Sequence, residues 1–99
     1  MIGIAIPYDA IHALCEKHHI RRLSLFGSVL REDFRPDSDV DVLVEFEPGT
    51  RVTYLDLARV QLELSDLTGR SVDLGMPHTL SPYIRQRVLD QAQVIYERT

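Results

Sequence analysis

The sequence has 99 residues, of which 44% are apolar, and a formal net charge of -4 at pH 7. This length predicts one domain with one small core, and the negative charge disfavours a protein that coats DNA or RNA through Lys and Arg. No apolar run approaches the roughly 20 residues that span a bilayer, and Met1–Pro7 does not resemble a signal peptide. The only cysteine, Cys15, excludes an internal disulfide. We therefore expect a single domain over residues 1–99 in the reducing cytoplasm.

The spacing of apolar and turn residues predicts alternating helices and strands. The first half holds a helix capped by Asp9 and ending near His18, a strand over Ile20–Phe26, a short helix over Val29–Glu32, a turn over residues 35–38 and a strand over Asp39–Phe46. The second half holds a type II turn at Pro48-Gly49, a helix over about Thr53–Thr68 capped by Gly69, a strand over Ser71–Leu74, a helix from Ser81-Pro82 to about Ala92 and an edge strand over Val94–Tyr96. This alternation indicates an α/β domain, while strand order and direction stay open.

Two carboxylates lie at the start of the clearest strand, in Asp39-Val40-Asp41. Residues two apart on a strand face the same side, with Cα atoms about 6.6 Å apart. Asp39 and Asp41 can therefore converge on one ion, while Val40, Val42 and Val44 pack on the opposite face. Because adjacent carboxylates repel, and because Mg²⁺ prefers oxygen ligands and completes its shell with water and phosphates, the pair predicts a magnesium site.

The turn at Gly27-Ser28 supplies a complementary anion site. Gly27 allows backbone N–H groups to approach a polyphosphate closely, and Ser28 offers a hydroxyl. Arg31 could reach phosphate as a cation or could serve as a surface ion-pair residue. Asp73, in a short apolar strand, could complete a three-carboxylate site and help to deprotonate an attacking hydroxyl. The alternative for Asp73 is a buried salt bridge, for which Arg70 is a candidate partner.

These residues together resemble the signature of minimal nucleotidyltransferase domains of the DNA polymerase β superfamily. The resemblance rests on Leu25–Arg31, on Pro36–Val44 and on the later Val72-Asp73-Leu74 segment, and it spans about the whole chain. It implies a small mixed sheet flanked by helices, like a reduced polymerase palm. It also implies that Gly27 and Ser28 bind the triphosphate of ATP, that Asp39 and Asp41 hold Mg²⁺, and that Asp73 is the third acidic catalytic residue. One departure is Glu32-Asp33, where many members carry glycine.

The resemblance extends to biological role. Members of this size often act as antitoxins beside a HEPN-domain toxin, which implies transfer of AMP from ATP to a tyrosine of that ribonuclease. Two alternatives stay open. The first is a non-catalytic antitoxin that neutralises the toxin by binding and masking it. The second is a transferase acting on a small molecule, which the short chain disfavours because such enzymes generally need another domain to enclose the acceptor.

Overall fold

The computed structural model describes residues 6–30 and 39–98, except for the side chains of Ser28 and Val29. Its elements are α1 (Tyr8–Lys17), β1 (Ile20–Phe26), a 3-10 helix (Gly27–Leu30), β2 (Val40–Phe46), α2 (Tyr54–Thr68), β3 (Val72–Gly75), a second 3-10 helix (Pro77–Thr79), α3 (Pro82–Gln91) and β4 (Gln93–Glu97). They confirm the predicted α/β class. The ends of the predicted helices and strands agree with the observed ones to within two residues. The end of the predicted short helix and the turn over residues 35–38 lie outside the described residues.

The four strands form one mixed sheet in the order β3-β2-β1-β4. Strand β1 pairs antiparallel with β2 on one side and with β4 on the other, whereas β2 and β3 run parallel. A parallel pair needs a crossover connection, and α2 provides it between β2 and β3. The mixed sheet flanked by helices is the architecture that the family resemblance implied.

The apolar core lies between one face of this sheet and two helices. The core face of the strands carries the buried Ile20, Leu23, Leu25, Val40, Val42, Val44 and Val72. On the opposite face of β2, Leu43 is also only 2% exposed. Against the core face pack Ile11, Leu14 and Cys15 of α1 and Val60 and Leu64 of α2. Each fully buried Val or Leu contributes about 1.5–3 kcal/mol, so α1 and α2 are both held to the same face.

Local chemistry explains where the elements begin and end. The hydroxyl of Thr53 accepts a hydrogen bond from the backbone N–H of Asp56 in a reciprocal capping box, and α2 ends at Gly69, whose φ of 69° is left-handed. Ser81 caps α3, as predicted. The prediction of Asp9 as a cap is wrong. Helix α1 begins at Tyr8, and Pro7 occupies the cap position. Asp9 lies inside the first turn, where its negative charge interacts favourably with the helix dipole.

The turn between β2 and α2 also has the predicted form. The backbone N–H of Thr50 donates to the carbonyl of Glu47 at 3.1 Å, and Gly49 has a φ of 83°. A positive φ at the third position is the requirement of a type II turn, which Pro48-Gly49 satisfies. Within the described part of the chain, no helix is long and apolar enough to cross a membrane.

Candidate active site

Gly27 directly follows β1 and lies against Asp41 of β2. Its φ is 75°, a left-handed conformation that costs side-chain-bearing residues about 1–2 kcal/mol. A Cβ atom built at this position would lie 2.2 Å from Oδ2 of Asp41, far inside van der Waals contact. Only glycine therefore permits both this backbone conformation and this approach of the Asp41 carboxylate.

The approach follows from the pairing of β1 and β2. Phe26, the last residue of β1, is opposite Asp41 in the antiparallel register, so the chain turns at Gly27 beside that carboxylate. Asp41 is half-buried and points away from the core, because its neighbours Val40 and Val42 are 0% and 2% exposed on the other face. The predicted division of this strand into an acidic and an apolar side is confirmed for Asp41.

The parallel pairing of β2 and β3 brings a second carboxylate beside the first. Asp41 and Asp73 are register partners, and the backbone N–H of Val40 donates to the carbonyl of Ser71 at 2.8 Å, which fixes that register. Neighbouring strands lie about 4.8 Å apart, and paired residues face the same side. Two carboxylates with 31 residues between them in the sequence thus become neighbours on the face of β2 opposite to the apolar core.

The environment of Asp73 differs from the expected one. Its side chain is exposed, and it forms no salt bridge with Arg70, so the buried ion pair considered as an alternative is wrong. Asp39 is also exposed and lies immediately before β2. An exposed carboxylate retains access to water and to an incoming substrate, which suits a group that binds ligand better than one that stabilises a core.

The proposed metal ligands fit an oxygen-preferring cation in chemistry and in backbone placement. Asp41 and Asp73 are in register, and alternation along the chain puts Asp39 on the side of Asp41. Within residues 6–30 and 39–98, no three His, Cys, Asp or Glu side chains lie close enough together to hold a metal ion. The assignment of Asp39, Asp41 and Asp73 as a metal-binding set therefore stays a prediction.

The phosphate-binding half of the site is described in part. The backbone of Ser28 belongs to the 3-10 helix that begins at Gly27, so the predicted turn is present, but its side chain lies outside the description. Arg31 lies outside the described residues altogether. Their roles as nucleotide ligands stay predictions that rest on the family resemblance.

A cross-strand ion cluster that the sequence did not reveal lies at the other end of the sheet. Arg22 donates to Glu97 at 2.7 and 2.9 Å and to Glu45 at 3.2 Å, joining β4, β1 and β2. The hydrogen bond with Glu97, followed by the charge of Glu45, raises the pKa of Arg22 further above its usual range. Alternation along β1 and β2 would have placed Arg22 and Glu45 on the face opposite to the apolar core, but only the strand register shows that they meet.

A groove of about 540 Å³ lies near this end, lined by the last residues of β2 and by Met76, Pro77 and His78. Glu45 lies four positions after Asp41 along β2, which is roughly 13 Å. The groove and the Asp41–Asp73 pair therefore lie at different ends of β2.

Comparison with known proteins places the chain in a family. The model of the nucleotidyltransferase domain family matches residues 9–95. A Methanocaldococcus jannaschii protein, provisionally named as a protein adenylyltransferase, is 38% identical over 76 residues, which are 77% of this chain and 80% of that relative. Protein adenylyltransferase MntA of Thermococcus cleftensis is 36% identical over 83 residues, which are 84% of this chain and 80% of MntA.

Comparison with solved structures points to the same family. A structure provisionally described as a minimal nucleotidyltransferase has a TM-score of 0.71 and 44% identity, covering 86% of this chain and 85% of its own. Two more distant structures share the fold. A toxin–antitoxin complex with AMP-PNP has a TM-score of 0.73 at 19% identity, covering 95% and 76% of the chains. A complex of tri-AMPylated HEPN toxin from Shewanella oneidensis with its MNT antitoxin has a TM-score of 0.64 at 18% identity, covering 92% and 70%.

The family match extends over residues 9–95. It therefore covers Gly27, Asp41 and Asp73, the residues that the strand registers bring together. The relatives above 30% identity are matched over about four fifths of their own length. This chain belongs to the nucleotidyltransferase domain family and is a minimal nucleotidyltransferase.

Proposed function

We propose that this chain is a Mg-ATP-dependent protein adenylyltransferase, and that it acts in the cytoplasm as an antitoxin by transferring AMP to a tyrosine of a HEPN-domain ribonuclease toxin. The observation that carries the proposal is the approach of Gly27 to Asp41 with Asp73 in register on the next strand. The names of the adenylyltransferase relatives and the AMPylated toxin in a complex of the same fold support the acceptor class.

The proposed reaction is a substitution at the α-phosphorus of ATP. The tyrosine oxygen attacks the α-phosphorus of ATP, a new P–O bond forms, the bond from the α-phosphorus to the bridging oxygen breaks, and pyrophosphate leaves. The proton of the tyrosine hydroxyl would pass to a nearby base, a role that we assign to Asp73 because it is exposed and in register with Asp41. The Gly27 turn would present backbone N–H groups to the phosphates.

Asp39, Asp41 and Asp73 would hold Mg²⁺ through their carboxylate oxygens. When bound, that ion neutralises charge developing on the phosphoryl oxygens and orients the α-phosphate for in-line attack. The protein contributes placement. The antiparallel register holds Asp41 against the Gly27 turn, and the parallel register holds Asp73 beside Asp41, so the proposal requires little reorganisation of the backbone when substrate binds.

The direct test is AMP transfer to the HEPN protein encoded by a neighbouring gene. With Mg-ATP, intact-mass measurement of that partner should show added AMP on tyrosine. Asp41→Asn removes one charge without changing side-chain size and should lower the rate on the order of a thousandfold, about 4 kcal/mol of transition-state stabilisation. Asp9→Asn removes a carboxylate from α1, on the opposite side of the sheet, and should modify the partner at the wild-type rate.

Two outcomes would count against the proposal. If Asp41→Asn transfers AMP as fast as the wild-type chain, Asp41 does not belong to the catalytic set. If Asp41→Asn transfers no AMP and still protects cells from the toxin as well as the wild-type chain does, neutralisation occurs by masking, and the catalytic antitoxin role is wrong.

A further inference from the structure

Helix α3 is attached to the rest of the chain differently from α1 and α2. Both of those helices bury apolar residues against the sheet, whereas α3, every residue of which is described, buries none. Its apolar side chains remain in contact with solvent: Tyr83 is 95% exposed, Ile84 46% and Leu89 36%. Because burial of an apolar face supplies most of the stability of a helix in a protein, the core contributes little to holding α3 in place.

The position of α3 in the topology makes this lack of burial unusual. Strand β4 is antiparallel to β1, and β1 is antiparallel to β2, so β4 runs parallel to β2 and β3. Helix α3 therefore lies in the crossover between two parallel strands, β3 and β4. A crossover helix normally packs an apolar stripe on a face of the sheet. Helix α2, in the crossover from β2 to β3, does so, and α3 does not.

One polar side chain joins the beginning of α3 to the segment before it. Nε of Arg85 donates to the carbonyl of Pro77 at 2.9 Å, and Nη2 donates to the carbonyls of Leu80 at 3.0 Å and His78 at 3.4 Å. A guanidinium carries its donors in a rigid, permanently charged fork. These three hydrogen bonds, the Arg85 clamp, therefore fix the direction in which α3 leaves that segment.

The segment that accepts these hydrogen bonds, residues 76–80, forms an elbow that is anchored to the body of the protein. Met76 packs against the core. The hydroxyl of Thr79 donates to the carbonyl of Met76 at 2.7 Å, and the backbone N–H of Thr79 donates to the same carbonyl at 3.0 Å. At its other end α3 leads into Gln93, which lies opposite Leu25, two residues before Gly27. One end of α3 is thus fixed at the elbow, and the other adjoins the end of the sheet that carries the Gly27 turn.

From the clamp at one end and the missing burial along the rest, we infer that α3 is a strap that opens as a unit while the sheet, α1 and α2 stay folded. The Arg85 clamp sets how often the strap opens. The register of Asp41 with Asp73 involves only β2 and β3, so opening leaves these two residues in place. It frees the start of β4 beside the Gly27 turn. This device follows from packing and hydrogen bonds and does not depend on the proposed function.

Hydrogen exchange of the full wild-type chain, followed by mass spectrometry of its peptides, measures the opening directly. The backbone amides of α3 should be protected about a hundredfold less, or weaker still, than those of α2. The reason is that α3 exchanges through local opening, whereas α2 exchanges only when the core unfolds. Equal protection of α2 and α3 would overturn the inference.

Two matched substitutions test the clamp. Arg85→Ala removes three hydrogen bonds from a charged donor and should speed exchange of α3 about tenfold or more, with α1 and α2 unchanged. Alanine is the strongest helix former, so faster exchange would not result from lower helix propensity. Arg87→Ala removes the same side chain from an exposed position of α3 that makes no hydrogen bond to the elbow, and it should leave exchange unchanged.

A conservative variant separates the charge of Arg85 from its geometry. Arg85→Lys keeps the charge but loses the fork, so exchange of α3 should lie between that of the wild-type chain and that of Arg85→Ala. An Arg85→Ala chain in which α3 exchanges at the wild-type rate would reject the clamp. If Arg85→Ala instead speeds exchange of all three helices by the same factor, α3 unfolds together with the core, and the strap is wrong.

Discussion

The two faces of β2 are built by different rules. The face towards α1 and α2 is a packed apolar layer in which Val40, Val42 and Val44 are at most 2% exposed. The opposite face places the carboxylates of Asp41 and Asp73 side by side. The apolar face tolerates no charge because burial without a partner is costly. The opposite face keeps two like charges close together, an arrangement that a bound cation makes more favourable.

The lesson of this difference is that core residues and the proposed site residues alternate along the first half of one strand. A substitution at Val40, Val42 or Val44 should act on the free energy of unfolding, and one at Asp41 should act on catalysis. Adjacent residues can therefore have different phenotypes, and single substitutions can test this difference.

The largest effect is expected from a charge moved by one position. Val42→Asp buries an unpaired carboxylate in the core and should lower the free energy of unfolding by about 4 kcal/mol or more, enough to unfold a small domain. Asp41→Asn, one residue earlier, keeps the side-chain size at a half-buried position and should change the free energy of unfolding far less than Val42→Asp does. Urea denaturation followed by circular dichroism measures both. A well-folded Val42→Asp chain would show that the valine face is not the core.

Truncation within the core should have the next largest effect. Leu64 is 2% exposed and links α2 to the sheet, so Leu64→Ala should cost about 2–5 kcal/mol by creating a cavity. Leu62→Ala removes the same atoms from the exposed side of the same helix and should cost less than about 0.5 kcal/mol in dilute protein. Thermal unfolding at low concentration gives the comparison, and equal losses for the two variants would contradict the assignment of inner and outer faces.

Two glycines with almost the same backbone conformation separate strain from contact. Gly27 and Gly69 have φ values of 75° and 69°, but only at Gly27 does an added Cβ meet a neighbour. Both alanine substitutions should cost about 1–2 kcal/mol of stability from the left-handed conformation. Gly27→Ala should in addition displace the Asp41 carboxylate and lower AMP transfer about a hundredfold, while Gly69→Ala transfers AMP normally. Equal activities would remove Gly27 from the site.

The effect that is smallest at neutral pH concerns the buried thiol of α1. Burial raises the pKa of Cys15 from 9.0 to about 12. The thiol stays protonated in the folded chain while the unfolded chain releases its proton above pH 9, so the stabilisation present below pH 9 is lost progressively as pH rises from 9 to 12. The loss should approach about 1.4 kcal/mol per pH unit. Comparing the pH dependence of unfolding with that of Cys15→Ala isolates it, and identical slopes would contradict it.

Local patterns predicted the elements well where a physical rule acts within a few residues. The Gly69 and Ser81 caps and the Pro48-Gly49 turn are all confirmed. The incorrect cap at Asp9 shows the limit of such rules, because a carboxylate in the first turn stabilises the helix almost as well as one at the cap.

The sequence by itself determined the residue types of the site and the alternation that puts Asp41 opposite the valines. It could do so because strand periodicity and glycine's conformational freedom are local properties. Only the tertiary structure decided that Gly27 touches Asp41, that Asp73 pairs in register with Asp41, and that Arg22 joins Glu45 and Glu97. Those contacts depend on strand order and register, which are set by how the whole apolar face packs against α1 and α2.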